Sequence, residues 1–326
     1  MLPDLEAALP SIPSTTIALP GLFAGLALLL MPGCSKEAGA LEESRLLFQT
    51  GFEPDVSLTD RSIAGADRSL KSHNDWGADA ARFAGTIAYN LGGPDDGVKR
   101  DGASIRIVPD PENSRNHALL LSLRDFRQEG QDEKGRAQVE IYKITPGLRE
   151  FSYSVDMYIA PGFKLLEQYP GKVDWLTIGE FWNNEFWRPG EKYGFRITVG
   201  MAKKPGVHPL NLRLIADLAD GTVVWERNDP KAVLPIGKWF RITYYFREGA
   251  AQGGRLAVKI TPRGEKSRLL YDVRDYSYAP HDPAPDGLTG FNPMKLYTSR
   301  KLIDYMKSKD APLEIYWDNL KLYKLK

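Results

Sequence analysis

From Leu46 onward, short apolar or alternating stretches are separated by clusters of Gly, Pro, Asn and Asp. Period-two alternation bounded by turn-forming residues is the pattern of half-buried β-strands, because successive side chains of a strand point to opposite faces. On this basis strands are predicted over 47–52, 104–107, 118–123, 137–144, 151–159, 175–181, 194–199, 212–216, 239–246, 255–260 and 313–323. No stretch between them holds a long helical period, and 299–307 is the best candidate for a short helix. Many short strands at this spacing predict an all-β sandwich or barrel. The connections 55–103 and 271–291 exceed ordinary loops and are expected to shape a site.

The alternation is cleanest at 136–142, where Arg136, Gln138, Glu140 and Tyr142 share one face and Ala137, Val139 and Ile141 share the other. The apolar face must meet the core, so four long hydrogen-bonding side chains stand in a row on the opposite face. At 175–187 the sequence WLTIGEFWNNEFW would place Ile178, Glu180, Trp182 and Asn184 on one face of a regular strand. Aromatic rings there could stack on sugar faces, with amides bonding hydroxyls, or the tryptophans could fill the core.

Composition narrows the picture. The 326 residues include 42% hydrophobic and 26% charged side chains, as in an ordinary globular protein, and 23 Pro and 30 Gly suit a turn-rich β fold. A net charge of +1 gives no bulk attraction to nucleic acid. One cysteine excludes an internal disulfide and a cysteine-cluster zinc site. His73, His117, His208 and His281 are scattered without ligand spacing; His73, in SHNDW, is the one that a loop could deliver to a site as a base. Walker-type, dinucleotide-binding and Gly-x-Ser-x-Gly motifs are absent, which disfavours nucleotide and ester chemistry.

The apolar run GLFAGLALLLM at 21–31 is too short to span a bilayer and suits the core of a signal peptide. Gly33 and Cys34 follow, and the arrangement resembles a bacterial lipoprotein leader, although the segment before the run carries Asp4 and Glu6 and no Lys or Arg. That resemblance implies a leader over 1–33, a lipid on Cys34, a flexible tether over 34–45 and a sandwich domain over 46–326. It implies an exported protein, held at the bacterial outer membrane or cell surface through its lipid.

The segments LLFQTGFEPD, GKWFRITYYFREG and LEIYWDNLKLY together resemble the concanavalin A-like lectin and glucanase jelly roll, whose members include heparin-, glucuronan- and alginate-lyase-like polysaccharide lyases. The resemblance covers the whole mature chain and implies two bent antiparallel sheets with a concave groove for a glycan. Glu53 and Asp318, with Asn319, are implied as a calcium site that staples the first and last strands, calcium favouring carboxylate and carbonyl oxygens. Strand 136–142 is similar to the Arg-x-Glu-x-Arg strand of the lyases, with Gln138 in the Glu position and Glu140 in place of the second Arg. FNPMKLYTSR at 291–300 resembles their Tyr-x-Lys-x-Gly-x-Tyr strand through Lys295 and Tyr297. If Glu180-Phe181-Trp182 stands for their Gln-x-His, the catalytic histidine is missing.

β-Elimination at a uronate needs a base at C5, a neutraliser for the carboxylate and an acid for the leaving oxygen. Tyr297, Arg136, Gln138 and Lys295 are expected to supply these, with Glu140, Tyr142, Glu180, Trp182, Asn184 and Arg300 binding the chain. The protein is expected to be a monomer, and the alternative to cleavage is a lectin-like protein that holds polysaccharide without cutting it. A hydrolase would need Glu140 and Glu180 to meet across strands, and a purely structural sandwich would have no groove.

Overall fold

The computed structural model describes residues 44–325 except 54, 60–61, 65–75, 77–81, 83, 92–101, 130–131 and 184–189. The proposed leader, Cys34, His73 and Asn184 lie outside the described residues.

In chain order the strands are β1 (Arg45–Thr50), β2 (Ser57–Thr59), β3 (Ser62–Ala64), β4 (Ala84–Asn90), β5 (Ala103–Pro109), β6 (His117–Leu123), β7 (Arg127–Glu129), β8 (Asp132–Ile144) and β9 (Glu150–Ile159). They continue as β10 (Leu176–Asn183), β11 (Phe195–Ala202), β12 (Asn211–Leu218), β13 (Val223–Val233), β14 (Trp239–Arg247), β15 (Arg255–Pro262), β16 (Arg268–Val273), β17 (Leu288–Ser299) and β18 (Leu313–Lys324). Helix α1 (Arg300–Lys307) follows β17 directly, where the sequence predicts it.

Two antiparallel eight-stranded sheets pack face to face as a jelly-roll sandwich. One runs β16-β15-β14-β9-β18-β6-β5, with β1 also paired to β18; the other runs β13-β12-β11-β10-β17-β8-β4, with β7 paired to β8. Each predicted strand is present, most of them one to five residues longer. Strands β4, β7, β13, β16 and β17 lie where the alternation predicts none; β2, β3 and β4 occupy part of the expected long loop 55–103, and β16 and β17 take the two ends of the expected loop 271–291.

The core between the sheets is strongly aromatic. Phe151 stacks on Phe246 at 5.1 Å and Tyr153 on Tyr244 at 5.1 Å, while Phe181 meets Tyr244 edge-on at 5.3 Å. The first two pairs join neighbouring strands β9 and β14 of one sheet, and Phe181 of the other sheet reaches across to Tyr244 and ties the layers together; truncating such a ring to Ala costs about 3–5 kcal/mol. The opening strand is anchored separately. Phe48 and Phe52 hold the Trp76 ring between them at 5.4 and 5.3 Å, and the Trp76 indole N–H donates to the Gly51 carbonyl at 3.2 Å.

Pairing of Thr50 with Leu320 brings Glu53 near Asp318, as the matching chain ends suggest. Asn319 adopts φ 51° in a bulge of β18, and its backbone N–H donates to Asp318 Oδ1 at 2.7 Å. Asp318 Oδ2 accepts from Asn116 at 3.0 Å and from the Asn319 amide at 3.1 Å. Calcium takes six to eight oxygens. Among the described residues no group of three or more His, Cys, Asp or Glu side chains could hold a metal ion, so Glu53 and Asp318 do not by themselves complete a calcium site.

Burial, together with the charges of Asp156 and Glu53, pushes the Asp318 carboxyl up to about 7, against the lowering hydrogen bonds from Asn116 and Asn319. Below its unfolded value of 3.8 both states are protonated. Above it the folded protein keeps a proton that the unfolded chain releases, so this group's contribution to stability is lost as pH rises through about 7. Thermal melts between roughly pH 5 and 8 should therefore fall less steeply in Asp318→Asn than in the native protein. Identical slopes would count against the assignment.

Candidate functional site

The second sheet turns one face to the core and the other outward, and the outward face carries the polar rows. In β8 the alternation holds as the sequence predicts: Ala137, Val139 and Ile141 are buried in the core, and Arg136, Gln138, Glu140 and Tyr142 line an open recess of about 700 Å³. The recess continues across β17 and β10 to Lys295, Tyr297 and Trp182, and reaches Arg196 on β11.

Strand β17 is the middle of this site, flanked by β8 and β10 rather than lying at an edge. Its register slips between Phe291 and Met294, around Pro293, which has no N–H to give the ladder. The slip brings Asn292 and Lys295 together although they are three residues apart, and Lys295 Nζ lies 3.4 Å from Asn292 Oδ1. Asn292 is fixed in turn by donating to the Val139 carbonyl at 3.1 Å.

Strand β10 is also irregular, its register shifting between Thr177 and Gly179 against β11. The regular alternation expected of 175–184 is therefore corrected: Ile178 and Phe181 are in the core, while Thr177, Glu180 and Trp182 face the groove. Trp182 lies close over Gly290, where an added Cβ would stand 2.9 Å from the ring, so the glycine makes room for the indole. The tryptophan is a wall of the groove rather than part of the central core.

A charge network underlies the groove. Lys295 Nζ donates to Glu180 Oε2 at 2.6 Å, and both side chains are only 2% exposed. Arg196 lies 3.7 Å from Glu180 Oε1 and bonds Asp217 through Nε at 3.0 Å. Burial draws the Lys295 ammonium down to about 8; Glu180 opposes this shift, and the charges of Arg136 and Arg196 add to it. Burial also works against the Arg196 charge, but the Asp217 hydrogen bond and the charges of Glu180, Asp217 and Tyr297 raise it above the usual range.

Tyr297 sits among cations. It pairs with Arg136 across the strands, the Arg136 guanidinium lies 4.8 Å from the ring centroid, and Lys295 and Lys134 lie at 5.0 and 5.7 Å. Trp175 meets the ring edge-on at 5.1 Å. Gln138 is buried beside it in register with Lys295 and donates its amide to Glu140, which also accepts from Asn90 at 3.2 Å. The Gln138 amide oxygen is buried and has no hydrogen-bond partner among the described residues.

The structure thus gathers Arg136, Gln138, Glu140, Tyr142, Trp182, Lys295 and Tyr297 at one recess, with Glu180 beneath. Arg300 is elsewhere: it opens α1, exposed, bonded to Glu133 at 2.8 Å and Asp304 at 2.9 Å, and lines no recess of the groove. Glu140 and Glu180 are on β8 and β10 with β17 between them, and Glu180 is held by Lys295, so they do not form a facing carboxyl pair. Arg196, Lys134 and Asn90 were missed. The alternation of Phe195, Arg196, Ile197, Thr198 and Val199 carries the signal for Arg196, as a long cation on the polar face of a predicted strand.

No protein-family model matches the chain, and no curated protein sequence matches it. Among solved structures it is similar to endo-beta-1,4-glucuronan lyase from the fungus Trichoderma reesei, with 12% identity and a TM-score of 0.43 over 72% of this chain and 93% of that one. It is similar to a marine alginate lyase from Aplysia kurodai, with 12% identity and a TM-score of 0.43 over 68% of this chain and 87% of that one. A further alginate lyase matches at 14% identity and a TM-score of 0.44 over 85% of this chain and 97% of its own. At these identities the likeness is one of fold alone.

Proposed function

We propose that the outward groove binds a uronate-containing polysaccharide and cleaves it by β-elimination. The observation that carries the reading is the placement of Tyr297, ringed by Arg136, Lys295 and Lys134, on the floor of a recess of about 700 Å³. Arg136 binds the uronate carboxylate and makes the C5 proton acidic. Tyr297 takes that proton and returns one to the leaving O4; the C5–H and C4–O bonds break and a C4–C5 double bond forms. Lys295 touches Glu180 rather than solvent, so it is a positioning residue that keeps positive charge beneath the Tyr297 ring. Glu140, held by the Gln138 amide, accepts hydroxyls, and Tyr142 and Trp182 wall the sugar ring.

The test is to incubate the sandwich domain with a panel of uronate polymers and follow the ultraviolet absorbance of the unsaturated product. The expected result is a rising signal whose rate falls as pH climbs through about 8, where Lys295 loses its proton. A signal that is flat on every polymer would contradict the proposal.

A second reading is a binding protein without cleavage. It is favoured by the absence of any histidine among the described residues that line the recess. Measurable binding of the polymers with a flat trace would establish it. In either case the domain is proposed to work outside the cytoplasm, tethered through Cys34, on the strength of the apolar run at 21–31.

A further inference from the structure

Beside the first recess lies a second, of about 220 Å³, and the two share Arg196 and Tyr297. Their charge balance differs. The first is lined by Lys134, Arg136, Lys143, Arg196 and Lys295 against the single carboxylate of Glu140. The second is lined by Asp174, Glu180 and Asp217 against Arg196 and Arg213.

The cations of the second recess are also engaged by carboxylates. Arg196 bonds Asp217 and lies by Glu180, and Arg213 bonds Glu226 at 2.8 Å. The neighbouring Lys172 pairs with Asp174 at 2.6 Å. A sugar carboxylate placed there would gain no partner without breaking an existing pair. A neutral sugar would find hydroxyl partners in Asp174, Asp217 and Thr198, with Trp175 and Ile215 as apolar walls.

We infer that the groove reads an alternating polymer, with a uronate over Arg136, an uncharged sugar over Asp217 and the scissile bond above Tyr297, where the recesses meet. The inference rests on the elimination reading and adds the substrate class and the order of units. Elimination introduces the double bond into the uronate and leaves the oxygen it expels on the neighbouring unit. Each cut therefore yields one product that begins with an unsaturated uronate and another that ends with a neutral reducing sugar.

The experiment compares an unsulfated polymer alternating glucuronate with N-acetylhexosamine against homopolymers of glucuronate and of mannuronate. Absorbance gives the rates, and oligosaccharides of each class give affinities by calorimetry. The expected result is a kcat/KM at least about tenfold higher on the alternating polymer, about 1.4 kcal/mol of discrimination. The exposed variant Asp174→Asn and the variant Asp217→Asn should each narrow this ratio by improving the homopolymers. A homopolymer cleaved as well as or better than the alternating one overturns the inference. If no polymer is cleaved, the elimination reading falls and affinity decides the subsites: tighter binding of alternating oligosaccharides upholds them, and equal, reversed or absent binding overturns them.

Discussion

Replacing Tyr297 with Phe should stop cleavage of a uronate polymer while leaving the polymer bound and the protein folded. The expected loss in kcat is roughly 100- to 10,000-fold, the span by which a positioned acid or base accelerates proton transfer. The substitution removes one hydroxyl and nothing else: the ring keeps its edge contact with Trp175 at 5.1 Å and its place beneath Arg136 at 4.8 Å. Tyr297 is half-buried on the groove floor, so the change opens no cavity in the core. A matching rise in KM with kcat preserved would instead mark the hydroxyl as a binding group. A Phe variant retaining more than about a tenth of the native kcat would remove Tyr297 from the chemistry.

The second large effect is on stability. Glu180→Ala should destabilise the sandwich by about 3–5 kcal/mol, because it leaves the Lys295 ammonium, 2% exposed, without its carboxylate. Arg196, 3.7 Å from the same carboxylate, adds to the repulsion. Chemical denaturation would read the loss directly, with a shift in midpoint and an unchanged slope. Pairing the change with Lys295→Met should recover much of it, since a neutral side chain of similar length needs no counter-charge. A single variant losing less than about 1 kcal/mol would mean that the pair contributes little to folding. The double variant separates the two roles of the network: it should fold well and yet cleave poorly, having lost the charge beneath Tyr297.

Most of the sandwich was legible because most of its strands obey the alternation rule. Strand β8 is the clearest case: every second residue from Ala137 to Ile141 is core, and the residues between face the groove. The centre of the site was less legible for a physical reason. In β17, Pro293 and the slip beside it break the period, so the strand could be recognised only through its resemblance to the lyase strand. The bulge in β10 hid which of Ile178 and Thr177 faces outward, since a displacement by one residue exchanges the faces. Arg300 illustrates the opposite failure. It follows Tyr297 by three residues, but β17 ends at Ser299 and the helix that begins there carries the side chain away to Glu133.

Glu180 and Lys295 were each visible as candidates, but not as a pair. They are 115 residues apart in sequence, and only the adjacency of β10 and β17 joins them. The same holds for Arg196, whose partner Asp217 lies on the next strand in direct register. Local sequence reports which face a side chain occupies; the neighbour across the sheet is set by topology.

A groove that cuts by elimination adds no water to its products. Mass spectrometry of the products from a defined uronate oligosaccharide tests this directly. The expected result is two products whose masses sum to that of the substrate, one of them carrying the double bond. Products heavier by one water in sum, or an oligosaccharide left whole under conditions where it binds, would contradict it.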